Sequence, residues 1–327
     1  MNNCCVKCAV ATLATIAIVV AAPAQAQSYP VKAVRVIVPF PAGGGTDLFA
    51  RAVAQKLSLA MGQQFVVDNR SGAGGLIGCE VVAKAVPDGH TLLITSSSTH
   101  SISPHLTRKP AFDAIRDFTP VALIASAANV LVVHPSLPVR SVKDLIALAR
   151  ARPGQMNYAS TGSGTLSHLT GELFKLKTGA SMVHVPYKGG PPALLDVISG
   201  QVSAFFIAVP TASAHIRAGR LRALAVTGQK RVDTLKDVPT VAETIAGFES
   251  VQWWGLFAPA GLPAELLVRL NGEVEKIVRD PEVKSRFETE GAEAVGGTPT
   301  QFATFFKADY DKWRKVVVDA RVRVDQL

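Results

Sequence analysis

The sequence predicts an α/β fold of two lobes, joined by a two-segment hinge around a ligand cleft. Three observations lead there. Short apolar runs alternate with helical patterns from residue 34 onward. The scheme repeats in two successive units of roughly 100 residues each, an ordinary domain size. Each unit carries one glycine-rich turn between a strand and a helix: Pro39-Phe40-Pro41-Ala42-Gly43-Gly44-Gly45-Thr46-Asp47 in the first, and Tyr158-Ala159-Ser160-Thr161-Gly162-Ser163-Gly164-Thr165 in the second. A bare turn at a helix start exposes unpaired N–H groups at the positive end of the helix dipole, which suits an anion. Two such turns facing each other form a pincer for a small carboxylate.

The chain has 327 residues. Its start reads as a secretory signal: a short polar stretch with Lys7, a 14-residue apolar run over 9–22, and Ala24-Gln25-Ala26 as the cleavage site, with removal after Ala26. The apolar run is shorter than the about 20 residues that span a bilayer. Cys4, Cys5 and Cys8 leave with the signal, so the mature chain keeps Cys79 alone. Stability must then come from a core rather than a disulfide, and Cys79, in an apolar helical run, is expected to be a buried, inert thiol. Loss of Lys7 takes the formal charge from +9 to +8. The cations are interspersed with acids, and no aromatic–basic interleaving of the kind that binds single strands is present, so nucleic acid is excluded and a weak field favouring anionic ligands remains.

The elements follow in order. Residues 34–38 are an apolar strand and 46–61 a helix with apolar positions at helical spacing. A strand over 64–67, a flexible turn over 72–75, a helix over 76–85 and a strand over 91–95 complete the first unit, which implies parallel pairing with right-handed crossovers. Residues 121–133 are a long apolar stretch broken by Ser126 and Asn129. The second unit contains helices over 141–150, 167–177 and 191–199 and strands over 156–160, 182–185, 202–207 and 223–226. A strand over 251–258 and helices over 263–279, 281–290 and 302–318 return to cover the first unit. This order gives two crossings between lobes, and assigns 27–125 plus 250–327 to lobe 1 and 126–249 to lobe 2.

In the first turn, Gly43, Gly44 and Gly45 remove the β-carbons from the apex, so a ligand can approach the backbone. No Lys-[ST] follows, which excludes a nucleotide P-loop, and no dinucleotide fingerprint is present. Asp47 is open between helix cap and ligand contact. In the second turn, Ser160, Thr161, Ser163 and Thr165 add hydroxyls to the backbone amides. His168 is open between ligand contact, supporting donor and buried structural residue. Tyr187 offers a ring and a hydroxyl, Ser97 and Ser98 sit at a strand end, and Ala208, Val209 and Pro210 follow another strand. Trp253 and Trp254 are expected to pack in the core. There is no nucleophile elbow, no H-E-x-x-H and no paired-cysteine metal site. No catalytic residue, metal ligand or cofactor is therefore expected. A secreted α/β hydrolase or isomerase acting on a small carboxylate is the alternative from another functional class.

The chain resembles the Bug family, also called TctC-like, of periplasmic solute-binding receptors of tripartite tricarboxylate transporters. The likeness covers residues 29–327. It rests on Tyr29-Pro30, the stretch from Val38 to Asp47, Asp68-Asn69-Arg70-Ser71-Gly72-Ala73-Gly74-Gly75, Pro87-Asp88-Gly89-His90-Thr91-Leu92, Tyr158-Ala159-Ser160 through Gly164, His184-Val185-Pro186-Tyr187-Lys188-Gly189, Asp237-Val238-Pro239-Thr240 and Trp254-Gly255-Leu256-Phe257-Ala258-Pro259. The resemblance implies a type II periplasmic-binding-protein fold that closes on ligand, a small organic carboxylate held by main-chain groups and hydroxyls, and delivery to a two-subunit membrane permease or presentation to a sensor kinase. The protein is expected to be a periplasmic monomer. The turns and strand ends together give a candidate ligand set of Phe40, Ala42, Gly43, Gly44, Gly45, Asp47, Gly75, Ser97, Ser98, Ser160, Thr161, Gly162, Ser163, Gly164, Thr165, His168, Tyr187 and Ala208. Two positions depart from the family pattern. Leu76 replaces a polar residue, and Phe205-Phe206-Ile207-Ala208-Val209-Pro210 lacks the usual polar residue ahead of the proline. Both are expected to make the distal wall of the cleft apolar, for a ligand whose other end is apolar or aromatic.

Overall fold

Ten strands hydrogen-bond into one continuous sheet in the computed structural model, which describes residues 29–107, 111–187 and 189–322. The signal segment assigned to residues 1–26, with Cys4, Cys5 and Cys8, lies outside the described residues. The chain begins with β1 (Val34–Val38), α1 (Gly45–Met61), β2 (Phe65–Asn69), α2 (Leu76–Ala83) and β3 (Thr91–Ser96). A wide helical turn over Ser98–Ile102 runs directly into α3 (Ser103–Leu106). The long β4 (Phe118–Val133) follows. Next come α4 (Val142–Ala151), β5 (Met156–Ser160), α5 (Leu166–Thr178), β6 (Met182–Pro186), α6 (Gly190–Ile198), β7 (Ala204–Ala208), α7 (Val209–Arg217) and β8 (Arg222–Val226). The chain returns through β9 (Val251–Pro259), α8 (Ala264–Arg279), α9 (Pro281–Thr289), β10 (Glu293–Ala294) and α10 (Pro299–Asp319).

The strand order is β2-β1-β3-β9-β4-β7-β5-β6, with β8 and β10 also paired to β4. Strands β2, β1 and β3 are parallel, as are β7, β5 and β6. β4 and β9 are antiparallel to their neighbours and join the two parallel groups. β4 belongs to both groups. Its residues up to Ala128 pair with β9, and from Asn129 on they pair with β7. Apolar residues on both faces of each group are covered by helices. α1, α8 and α9 bury one face of the first group, and α2 with the start of α10 buries the other. In the second group α4 and α5 cover one face, and α6 and α7 the other.

Three local outcomes differ from the sequence expectation or refine it. Residues 97–106 are helical rather than an open strand end. Their hydroxyls bond nearby carbonyls, Ser103 Oγ to Ser98 O at 2.9 Å and Thr99 Oγ1 to Gly74 O at 3.0 Å, which supports a tight local path. The terminal helix does not stay on the first group. Phe302 and Phe306 pack against Phe257 and Trp253, but Trp313, Val316 and Val317 enter the second core beside Leu131, Tyr158 and Phe174. At about 1.5 Å per residue, one apolar stripe on a 21-residue helix is long enough to reach both. Cys79 is fully buried, and that burial pushes its thiol up to about 12.

The point where β4 changes partners is stitched by buried hydroxyls. Thr227 Oγ1 accepts from the Asn129 N–H at 2.9 Å and donates to the Ser250 carbonyl at 2.5 Å, and Thr170 and Ser250 bond to each other. Thr227 and Ser250 are fully inaccessible. A Thr227→Val change keeps the shape and removes the hydroxyl. It should cost about 1–3 kcal/mol, because two buried backbone groups lose a partner, and denaturant unfolding measures it.

Candidate functional site

A cleft of about 740 Å³ lies at the carboxyl ends of the strands, where α/β proteins hold ligands. Four helices begin on it: α1 with Gly45 and Thr46, α5 with Leu166 and Ser167, α6 with Gly190 and Pro191, and α7 with Pro210 and Thr211. None of the four has a side-chain cap. Each helix start carries an effective charge of about +0.5; α1 and α5 also offer free first-turn amides, whereas Pro191 and Pro192 in α6 and Pro210 in α7 have no N–H to give. Among the described residues the cleft lining has no Lys, Arg or His and a single acid, Glu290. The attraction for an anion therefore comes from peptide dipoles and hydroxyls, not from a counter-ion. Among the described residues no group of three or more His, Cys, Asp or Glu could hold a metal ion.

The first turn is held from within by Asp47. Its carboxylate accepts from the Gly43 N–H at 2.9 Å, Arg51 Nε at 2.8 Å and Asn69 Nδ2 at 2.9 Å. Asn69 also donates to the Phe40 carbonyl, so the turn is tied at both ends. Burial opposes the charge on Asp47, but these donors outweigh it and hold its carboxyl below the ordinary range. Asp47 thus spends its oxygens inside the turn. Of the three glycines, Gly43 is the one with a left-handed backbone, φ +82°. Gly45 faces the ring of Trp254, where an added β-carbon would lie 3.9 Å away. Trp254 lines the cleft, packs tilted against Phe49 with ring centroids 4.3 Å apart and donates from Nε1 to Thr46 Oγ1 at 3.1 Å. Trp253 is fully buried, as expected, but Trp254 is a cleft residue and not core.

The second turn satisfies most of its own amides. The N–H groups of Thr161, Gly162 and Gly164 donate to Ser167 Oγ, Ser160 Oγ and His168 Nδ1 at 2.9, 3.2 and 3.0 Å. Thr161 and Thr165 face the cleft and share contacts of 3.1 Å with Ser167 Oγ. What the second turn offers a ligand is therefore hydroxyls and the first amides of α5. His168 lies behind the turn, stacked on His184 with 3.7 Å between centroids, and His184 Nε2 meets Ser160 Oγ at 2.7 Å. Burial pushes both imidazoles down to about 4, so both are neutral near pH 7. Ser160 is fully buried and His184 carries no hydrogen bond to a carboxylate, so the pair lacks the access and the orienting acid of a nucleophilic triad.

Of the predicted set, Phe40, Gly45, Ser98, Thr161, Thr165 and Ala208 line the cleft. Ala42, Gly43, Gly44 and Ser163 are exposed and are not among the cleft-lining residues, and the Gly162 and Gly164 amides take part in the inner bracing just described. Gly75 is buried against Thr99, and Ser97 is buried with its hydroxyl unpartnered. Tyr187 turns to Asp196, with its hydroxyl donating at 2.5 Å. Leu76 packs in the core beside Ile37 and Cys79, so the apolar wall comes from Phe206, Ile207 and Leu166 and owes nothing to Leu76. Sequence reasoning missed Ala127, Asn129, Gln252, Glu290 and Gly291. Asn129 had left a signal, as a polar break in an apolar strand; it is buried and lines the cleft. Gln252 accepts from Ser98 at 3.2 Å.

The chain matches the family described as tripartite tricarboxylate transporter family receptor (TctC) over residues 49–321. It is 38% identical over 301 residues to the protein BugT of Bordetella pertussis, covering 91% of this chain and 92% of that one. It is similar to the solved structure of Rpa4515 of R. palustris with adipate, at 39% identity and a TM-score of 0.73, covering 90% and 99% of the two chains. It is also similar to MatC (Rpa3494) of Rhodopseudomonas palustris with bound malate, at 31% identity and a TM-score of 0.70, covering 88% and 100%.

The stacked histidines give the protein an acid limit. Above pH 6.5 both rings are neutral whether the chain is folded or not. Below it the unfolded chain takes up protons that the native state refuses until about pH 4, so stability falls over that window as pH drops. His168→Gln retains an acceptor for the Gly164 N–H and removes one titrating ring. The slope of unfolding free energy between pH 6.5 and 4 should become shallower by about 1.4 kcal/mol per pH unit, measured by urea titrations across pH.

Proposed function

This chain belongs to the tripartite tricarboxylate transporter receptor family, and from that premise we propose that it is a periplasmic receptor that captures a small organic carboxylate between its lobes and releases it unchanged. The fold is that of the type II periplasmic binding proteins. One observation carries the ligand class: four uncapped helix starts meet on a single cleft whose described lining residues include no cationic side chain. Such a site holds a carboxylate by hydrogen bonds to amides and hydroxyls. Among the described residues no helix is long and apolar enough to cross a membrane.

We assign the lobes to residues 27–125 plus 250–327 and 126–249, with β4 and β9 as the hinge. The chain is exported by a signal removed after Ala26, acts as a monomer and hands its ligand to a two-subunit membrane permease. The lack of a triad around Ser160 supports a binding role without chemistry. BugT and the structures with adipate and malate support a receptor of organic acids.

The ligand of this chain carries one carboxylate and an apolar or aromatic body. Phe40, Phe49, Leu166, Phe206, Ile207 and Trp254 give the cleft apolar lining beside the helix starts. A second carboxylate would lie against these faces without a counter-charge, which is unfavourable. Calorimetry with benzoate, adipate, malate, aspartate and citrate tests this. Benzoate should bind at least tenfold more tightly than aspartate or citrate and should perturb Trp254 fluorescence. Tight aspartate binding with no response to benzoate overturns the apolar-body reading. Turnover of any bound acid overturns the receptor reading.

A further inference from the structure

Gly291 and Pro210 make an unusually close contact across the cleft. Both residues line it. Pro210 lies in the first turn of α7, which packs on β7 and β4. Gly291 follows α9, which packs on the opposite side through Phe287 against Phe49, with ring centroids 4.8 Å apart. A β-carbon at Gly291 would sit 1.6 Å from Pro210 Cγ, 2.5 Å from Cδ and 3.0 Å from Cβ. No side chain fits there while the two sides stay together, because packed atoms do not approach so closely.

A simpler role for Gly291 exists. Its φ is +70°, its N–H donates to Glu288 O, and Ala292 N–H donates to Phe287 O, the pattern of a glycine ending a helix. That role explains the backbone angle. It does not explain why a proline ring from another helix occupies the space a β-carbon would need. The proline is rigid and has no N–H to satisfy at a helix start, so its ring makes a firm, apolar stop.

We propose that the ring of Pro210 resting on the bare backbone of Gly291 positions the two lobes in the ligand-holding geometry, and that the missing β-carbon sets how far the cleft closes. The proposal rests on the receptor reading above. Closure completes the ligand's contacts, so a side chain at 291 lowers affinity without touching the amides of α1 or α5.

The test uses dyes on L59C and L195C, exposed positions of α1 and α6, with buried Cys79 left unlabelled. Energy transfer between them reports lobe separation as benzoate or adipate is added. With the acid that closes the wild type, Gly291→Ala should raise the closing midpoint at least tenfold. Pro210→Ala leaves only the contact at 3.0 Å, so P210A/G291A should recover to within threefold of P210A alone. Both variants carrying alanine at 291 should melt at a lower temperature than their parents, because Pro210→Ala does not relieve the backbone angle. A G291A midpoint within threefold of wild type, or no recovery in the double variant, overturns the proposal and leaves the helix-ending role. If neither acid closes the wild type, the ligand reading fails on its own. The contact is then judged from the acid-free distribution of transfer efficiencies, which G291A must broaden and P210A/G291A must narrow.

Discussion

The first amides of a helix have no partner within it, and the cleft follows from where α1 and α5 leave theirs, with the dipoles of α6 and α7 added. Capping side chains would have satisfied them. Gly44, Thr165, Gly189 and Ala208 stand at the cap positions, and none of them caps. The orphan donors need an acceptor from outside, and a carboxylate supplies two oxygens with the favoured charge. Because the field comes from backbone, it is rigid and needs no cation among the described lining residues. An Arg or Lys would bind more kinds of anion through a flexible arm, whereas fixed amides and hydroxyls demand a matching shape.

Holding those helix starts in place takes more of the protein than the cleft itself. Asp47 serves the first turn by gathering Gly43, Arg51 and Asn69, and so orients the start of α1 without meeting the ligand. The stacked pair His168 and His184 serves the second, taking up the Gly164 amide and the Ser160 hydroxyl. These polar groups are buried and depend on being satisfied, which ties the shape of each turn to one protonation state. Apart from Glu290, the described lining is uncharged, and Asp47 and the paired histidines stand one layer behind it.

The two sides meet through β4, β9 and α10. Thr227 fixes the place where β4 changes partners, and α10 lays one apolar stripe over both cores. Two strands and a helix thus constrain relative motion at the crossing, while at the cleft the sides touch through Pro210 and Gly291. A molecule built this way bends at the crossing and is stopped at the far contact.

Much of this was legible in the sequence. Apolar periodicity located the strands and most helices, because period 2 or 3.6 is imposed by local backbone geometry. The glycine turns marked the helix starts of α1 and α5, since a bare turn is a local signal. The sequence also excluded a nucleotide loop, from residue types and spacing alone. Tertiary structure decided the rest. It turned Asp47, Ser160 and His168 inward, brought Trp254, Asn129 and Gln252 to the cleft, sent Leu76 to the core and set Pro210 on Gly291. Each of these depends on which residues distant in the chain become neighbours. A side chain's direction into cleft or core is set by those neighbours, and periodicity along one segment carries no information about them.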